Sequence, residues 1–268
     1  MRDAAAFSTG HVAGSGSIPA ALLEDRRNEL PPRDRPVVVV ATDAAAARDA
    51  AATLSALGYR DAAWLDASLA SLGALATATD PPARLWQPNA FLASIVDAIP
   101  RGRAADLAAG AGREAVFLAL AGFEVEAWDE APEALARATD HAGREGVALT
   151  THVANLEARS FALPAAHYAL LTCFRFLHRP LFSRMAGALA PGGHLVYETY
   201  RVGQERFGRP RRAQFLLKPG ELERSFRGLG LEVLRFEEAG SEREGALTQR
   251  IWARKPETGS SSGTPVAP

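Results

Sequence analysis

The chain is short of cysteine, lysine, net charge and long apolar runs. Cys173 is the single cysteine in 268 residues, which excludes an internal disulfide framework and a cysteine-built zinc cluster. Lys218 and Lys255 are the only lysines among 30 basic residues. Positive charge is therefore carried by guanidinium groups, which meet oxyanions in a planar, bidentate manner. Codon usage in a GC-rich genome produces the same arginine and alanine excess. A net charge of −1 and an isoelectric point near 6.6 supply no overall attraction to nucleic acid or to an anionic membrane. No stretch approaches the ~18 apolar residues of a membrane span, and "MRDAAAFSTG" lacks the basic-then-apolar pattern of a signal peptide. These absences point to the cytoplasm and to a small-molecule partner. They are silent on oligomeric state, and no metal-ligand spacing stands out.

What is present is alternation. "RPVVVVAT" has the character of a buried strand, "AAAARDAAATLSALG" of a helix stopped by Gly58, and "AAWLDA" of a second short strand. Prolines and polar residues in "ATATDPPARLWQP" interrupt the pattern, which places a boundary near residue 79. A longer series follows. Its strands are "RAADLA", "EVEAWD", "VALTTHVA", "YALLTCF" and "GGHLVYET". Its helices are "NAFLASIVDAI", "REAVFLALAG", "PEALARATDHAG", "RPLFSRMAGAL" and "PGELERSFRGLG". "LEVLRFEE" and "ALTQRIWAR" close the series without a helix between them. Alternating strands and helices with short links predict an α/β, Rossmann-like doubly wound sheet with a C-terminal antiparallel hairpin at one edge. The expected organisation is residues 1–78, 79–255 and a polar tail, 256–268, rich in Pro, Gly and Ser and therefore disordered.

The stretch "AADLAAGAGREAVFLALAGFEVEAWDE" carries the chemistry. Asp106 ends one strand, Gly110 and Gly112 make a turn, and a helix opens at Arg113, where free N–H groups and close backbone approach favour a ligand. Asp129 ends the next strand about 20 residues on, where an acid accepts hydrogen bonds from a ribose. Gly110 to Ala115 also satisfies G-x-G-x-x-A, the dinucleotide fingerprint, so an NAD-dependent oxidoreductase is one reading. A carboxylate at Asp106 would repel a pyrophosphate, whereas it suits S-adenosylmethionine, which carries an amino group and a sulfonium. The spacing favours the methyl donor.

From about Trp86 to Arg254 the chain resembles class I S-adenosylmethionine-dependent methyltransferases. "RFLHRPLFSRMAGALAPGGHLVYETYRVGQERFGRP" followed by "FLLKPGEL" is similar to a subgroup related to tellurite-resistance and thiopurine-type enzymes. The resemblance implies that Asp129 binds the ribose hydroxyls, that Gly110 and Gly112 pass beneath the methionine portion, and that Asn155 and Leu156 flank the adenine. Asp106 and Arg113 complete the expected cofactor set. The sequence departs from the family pattern at Asn155, where an acid is frequent, and at Ala169, where an aspartate commonly opens the strand.

Ligands in doubly wound sheets gather at the carboxyl ends of the strands. There "CFRFLHRP" supplies Cys173, Arg175, His178 and Arg179, and "YETYRVGQERFGRP" supplies Glu198, Tyr200, Arg201, Glu205, Arg206 and Arg209. Clustered guanidinium groups favour a small anionic, oxyanion-bearing or thiol acceptor. Cys173, inside an apolar strand, has the character of a core residue. His178, Arg179 and Arg175 are the candidate catalytic residues, with His178 the base if a proton must leave. "RVGQERFGRPRRAQF" is long enough to act as a lid.

The first block resembles a rhodanese-like domain through "FSTGHVAGSGSIP" and the valine strand, over roughly residues 2–70. The family's first strand would precede "RDAAAF", so either the true start lies upstream or the domain lacks a strand. Alignment of the valine strand places Ala41 where a sulfurtransferase needs its thiolate, which makes this block a degenerate, binding or scaffolding domain. A non-catalytic protein that binds S-adenosylmethionine or an anion is the alternative reading of the whole chain.

Overall fold

Valine's branched side chain favours extended backbone. In the computed structural model, which describes residues 4–67, 69–240 and 246–257, Val37–Val39 forms a short strand, β1. It belongs to the first of two units, Met1–Gln87 and Pro88–Pro268. This unit also contains α1 (Ala4–Ser8), α2 (Ala44–Ala56) and β2 (Ala62–Trp64), which pairs parallel to β1. Ala47, Ala50, Ala51 and Leu54 recur at helical spacing along α2 and are buried with Val39, Ile18, Leu23 and Tyr59. The outer face of β1 is different, since Val38 is 64% exposed. A half-open cavity of about 270 Å³ runs beside β1, walled by Phe7, His11, Ile18, Val38 and Leu85 among others.

The second unit runs through α3 (Ala90–Ala93), β3 (Arg103–Leu107), α4 (Arg113–Leu120), β4 (Glu124–Asp129), α5 (Pro132–Arg144) and β5 (Thr150–Val153). It continues with β6 (Tyr168–Phe174), α6 (Leu181–Ala188), β7 (Leu189–Tyr200), α7 (Glu221–Gly228), β8 (Glu232–Ala239) and β9 (Thr248–Arg254). One seven-stranded sheet results, in the order β5-β4-β3-β6-β7-β9-β8. The first five strands in that order are parallel, and β9 is antiparallel to both neighbours. The expected hairpin thus forms at the edge of a mixed sheet, with its second strand inserted next to β7.

Period-two alternation divides the core. Ala104, Val125, Ala127, Leu170 and Val196 face the cluster beneath α3, α4 and α5, while Ala105, Leu107, Leu171, Cys173, Leu195 and Tyr197 face α6 and α7. Burial on both faces is why β6, YALLTCF, has a nearly unbroken apolar sequence.

The predicted helix over "NAFLASIVDAI" breaks into α3 and a 3-10 turn at Val96–Ala98. Side chains take over the backbone groups there. Ser94 Oγ donates to the Phe91 carbonyl at 2.8 Å, and the Arg101 guanidinium satisfies the carbonyls of Val96 and Ile99. Such local bonds compete with helix continuation. From residue 258 onward, the tail expected to be disordered lies outside the described residues.

Candidate active site

After β3 the backbone turns through three left-handed residues, Ala108 (φ 56°), Gly110 (φ 54°) and Gly112 (φ 74°), before α4 begins. The two glycines serve different ends. A Cβ on Gly112 would lie 2.5 Å from Ala138 Cβ on α5, so its absence allows the helices to pack. A Cβ on Gly110 would meet nothing within 4 Å, so that face of the loop is open to a ligand.

The Asp129 carboxylate bridges the loop to the end of β4. One oxygen accepts the Gly110 N–H at 2.8 Å and the other the Ala131 N–H at 3.0 Å. Each oxygen keeps acceptor capacity for a diol.

Beneath the loop, Asp106 is 2% exposed and accepts the Thr172 hydroxyl at 2.7 Å. Burial first, and then the neighbouring Glu114 and Asp129, push its pKa up to about 8. Near neutral pH it is largely the uncharged acid. The charge repulsion expected of it against a pyrophosphate is therefore much reduced, because desolvation suppresses ionisation. Glu114, in the first turn of α4, is likewise raised by burial, opposed by the cations of Arg113 and Arg175.

At the far side of the loop, Asn155 Oδ1 accepts the Glu157 N–H at 2.8 Å, leaving its amide N–H groups as the donors it presents. Leu156 is buried in the same core cluster as Leu107, against which Trp128 also packs. The exposed apolar residue at the end of β5 is Val153, 63% accessible.

The structure commits Arg179 elsewhere. Its Nε and Nη2 contact the Glu221 carboxylate at 2.5 and 3.1 Å, Nη1 donates to the Gln214 carbonyl at 2.8 Å, and Nη2 donates to the Leu216 carbonyl at 3.0 Å. This guanidinium is a strut between the start of α6, the long loop and α7. That loop is anchored at its ends as well: Val202 N–H donates to the Leu217 carbonyl, and Gln204 Oε1 accepts the buried Leu247 N–H at 2.7 Å. The side chains of His178 and Arg175 make no hydrogen bond among the described residues, and Arg175 holds a left-handed φ of 58° at the end of β6. Cys173 is fully buried, and burial raises its thiol pKa far above the usual range, so it is inert packing.

Glu198, expected at this cleft, meets two residues outside the expected set, Asn89 and Thr248. Glu198, at the end of β7, accepts Asn89 Nδ2 at 2.7 Å and Thr248 Oγ1 at 2.9 Å. Asn89 also caps α3, accepting the Leu92 N–H at 3.0 Å, and its main-chain N–H bonds the Glu114 carboxylate. Asn89 carries an N-cap signature in the sequence; its pairing with a residue 109 positions away does not show there.

In the first unit, the strand-to-helix turn between β1 and α2 is occupied by the chain itself. The Asp43 carboxylate accepts the Ala46 N–H at 2.9 Å and caps α2, while Ala41 is buried. A negative group already sits where an anion would bind.

The five parallel strands, the antiparallel insertion and the glycine loop clamped by Asp129 give the second unit the fold of class I S-adenosylmethionine-dependent methyltransferases. The family described as "Tellurite resistance protein TehB" matches residues 89–240, more than half of the chain, and the chain belongs to that family. TehB from Haemophilus influenzae is 18% identical, with a TM-score of 0.53 over 62% of this chain and 62% of that one. An S-adenosylmethionine-dependent methyltransferase from Mesorhizobium loti is 20% identical, with a TM-score of 0.50 over 62% of this chain and 98% of that one. Magnesium protoporphyrin IX methyltransferase from Synechocystis PCC 6803, solved with bound SAH, is 15% identical with a TM-score of 0.50, over 62% and 80% of the two chains. The match thus spans 62% of the length of the Haemophilus TehB, and at these identities the likeness is one of fold. No curated protein matches the sequence.

The donor set fits S-adenosylmethionine. Gly110 leaves open space beside the loop, and the Asp129 carboxylate, fixed by two N–H groups, keeps acceptor capacity that a ribose diol would use. Among the described residues no helix is long and apolar enough to cross a membrane, and no group of three or more His, Cys, Asp or Glu is placed to hold a metal ion.

Proposed function

We propose that the second unit catalyses methyl transfer from S-adenosylmethionine to a heteroatom of a small acceptor in the cytoplasm, with a thiol or an oxyanion as the acceptor class. The cofactor supplies an already activated methyl group, so the chain contributes binding, orientation and exclusion of water. Asp129 holds the ribose and Gly110 admits the methionine portion. His178 and Arg175 follow β6, their side chains without a hydrogen bond among the described residues, and face the acceptor, with His178 taking a proton where the acceptor must lose one. The observation that carries this reading is the Asp129 carboxylate held by the Gly110 and Ala131 N–H groups. It fixes the acid between the ends of β3 and β4, where a ribose is read in open α/β sheets.

Calorimetry with S-adenosylhomocysteine tests it. We expect binding by the wild type and a loss of roughly tenfold or more in Asp129→Asn. Absence of wild-type binding overturns the reading. Binding without label transfer to any thiol or oxyanion would instead support the non-catalytic, cofactor-binding alternative.

For the first unit we propose a rhodanese-like domain that folds and binds without sulfur transfer. The parallel β1–β2 pair, the strand–turn–helix with Ala41 at its bend, and the Asp43 carboxylate at the N-terminus of α2 support this. Thiosulfate-to-cyanide sulfur transfer by the wild-type chain would refute it.

A further inference from the structure

We propose that the cavity beside β1 in the first unit is a binding site for a small, uncharged primary amide carried on an apolar body. The inference gives a ligand class to the binding role proposed for that unit, and it rests on the cavity, not on sulfur chemistry or methyl transfer.

Two segments that cross-link each other build the cavity. His11 and Ala78 exchange main-chain hydrogen bonds at 3.0 and 3.1 Å, and the Ala83 N–H donates to the Ser15 carbonyl at 3.0 Å. Leu85 then closes over Gly16, where a Cβ would lie 2.3 Å from Leu85 Cγ. The volume of about 270 Å³ exceeds the ~150 Å³ in which an apolar cavity takes up benzene. Phe7, Val12, Ile18, Pro31 and Leu85 contribute apolar wall, and the lining residues include no Asp, Glu, Lys or Arg. An ionic ligand would lose water there without meeting a counter-charge.

The polar groups are few. The Val37 N–H donates to the Asp61 carbonyl and the Val39 carbonyl accepts the Leu65 N–H, both at 2.9 Å, so these residues turn their main-chain groups toward β2. The N–H and carbonyl of Val38, between them, point the other way, to an edge with no strand partner among the described residues. The cavity flanks that edge, since Val38 lines it and no residue of β2 does. One donor and one acceptor therefore stand side by side and unpaired. His11 adds a second acceptor. It is 1% exposed, and its Nδ1 donates to the Phe7 carbonyl at 3.1 Å, while Nε2 has no hydrogen-bonded partner. Asp80 Oδ1, 3.6 Å from Nε2, is itself an acceptor. A primary carboxamide has two N–H donors and one carbonyl, the complement of this set, and carries no charge. The Phe7 and His11 rings, stacked at 3.9 Å, suit a flat apolar body.

The test titrates benzamide, acetophenone and benzoate into the isotope-labelled full chain and follows the Val38 amide signal by NMR. Acetophenone keeps the shape and carbonyl of benzamide and loses both N–H groups, whereas benzoate replaces the amide with a charge. We expect benzamide to move the Val38 signal saturably, and the other two to bind roughly tenfold or more weakly. Val12→Phe adds a ring to the wall and should abolish the benzamide response with the melting temperature nearly unchanged. The comparison of probes in the wild type holds whether or not that variant folds. No movement of Val38 with benzamide, equal binding of acetophenone or benzoate, or full benzamide binding by folded Val12→Phe would overturn the proposal. Tighter binding of N-acetylvaline methylamide than of benzamide would also overturn it, assigning the edge to strand addition by a peptide. Thiosulfate-to-cyanide transfer, which decides the degenerate-domain reading, is measured separately and is unaffected by these outcomes.

Discussion

Two glycines two residues apart should respond to the same substitution in opposite ways. In Gly112→Ala the new Cβ would lie 2.5 Å from Ala138 Cβ and 3.2 Å from its Cα, so α4 and α5 must separate. Overpacking of that kind costs about 1–3 kcal/mol, and a left-handed alanine adds about 1–2 kcal/mol. A total of about 2–5 kcal/mol would be a large share of a domain's stability. Gly110→Ala incurs only the backbone cost, partly offset by about 0.4–1 kcal/mol from the stiffer unfolded chain, because its Cβ meets nothing within 4 Å. The same methyl group, however, projects into the space assigned to the cofactor. Urea unfolding followed by circular dichroism, with S-adenosylhomocysteine calorimetry on each folded variant, separates the effects. Gly112→Ala should unfold at distinctly lower urea. Gly110→Ala should stay near wild type in stability and lose roughly tenfold or more in affinity. Equal destabilisation of the two, or wild-type affinity in Gly110→Ala, would refute the assignment of Gly112 to packing and Gly110 to the ligand.

Three further outcomes follow from individual side chains. Asp106 has a folded-state pKa of about 8 against an ordinary 3.8. The folded chain therefore binds the extra proton between those values, and this group's contribution to stability falls as pH rises from about 4 to about 8. Unfolding free energy measured across that range should slope downward, and Asp106→Asn should flatten the slope. Arg179→Gln should cost about 1–2 kcal/mol through loss of its bonds to Glu221 and two carbonyls, with cofactor affinity unchanged; a calorimetric loss of binding would return Arg179 to the ligand site. Cys173, fully buried, should resist a thiol reagent in the native chain and react at once in denaturant.

The glycine loop was legible because its requirements are local. Left-handed backbone, a strand end and a helix start occupy consecutive residues, and Asp129 stands at the regular distance of one βαβ unit. The contacts of Arg179 were not legible, because a guanidinium near a strand end has the same sequence whether it meets a substrate or Glu221, 42 residues away. Leu156 and Val153 follow the same logic. Which of two apolar neighbours enters the core depends on the path of the chain after β5, and its composition leaves that open.

The sequence by itself determined the alternation of strands and helices, the packed strand faces and the position of the glycine loop, since each depends on residue periodicity or on backbone conformations that glycine permits. Only the tertiary structure decided the insertion of β9 between β7 and β8, the suppressed ionisation of Asp106, and the meeting of Asn89, Glu198 and Thr248. The physical reason is common to all three. Strand order, desolvation and long-range hydrogen bonds depend on which distant segments share one small volume, and that is settled by the packing of the whole sheet.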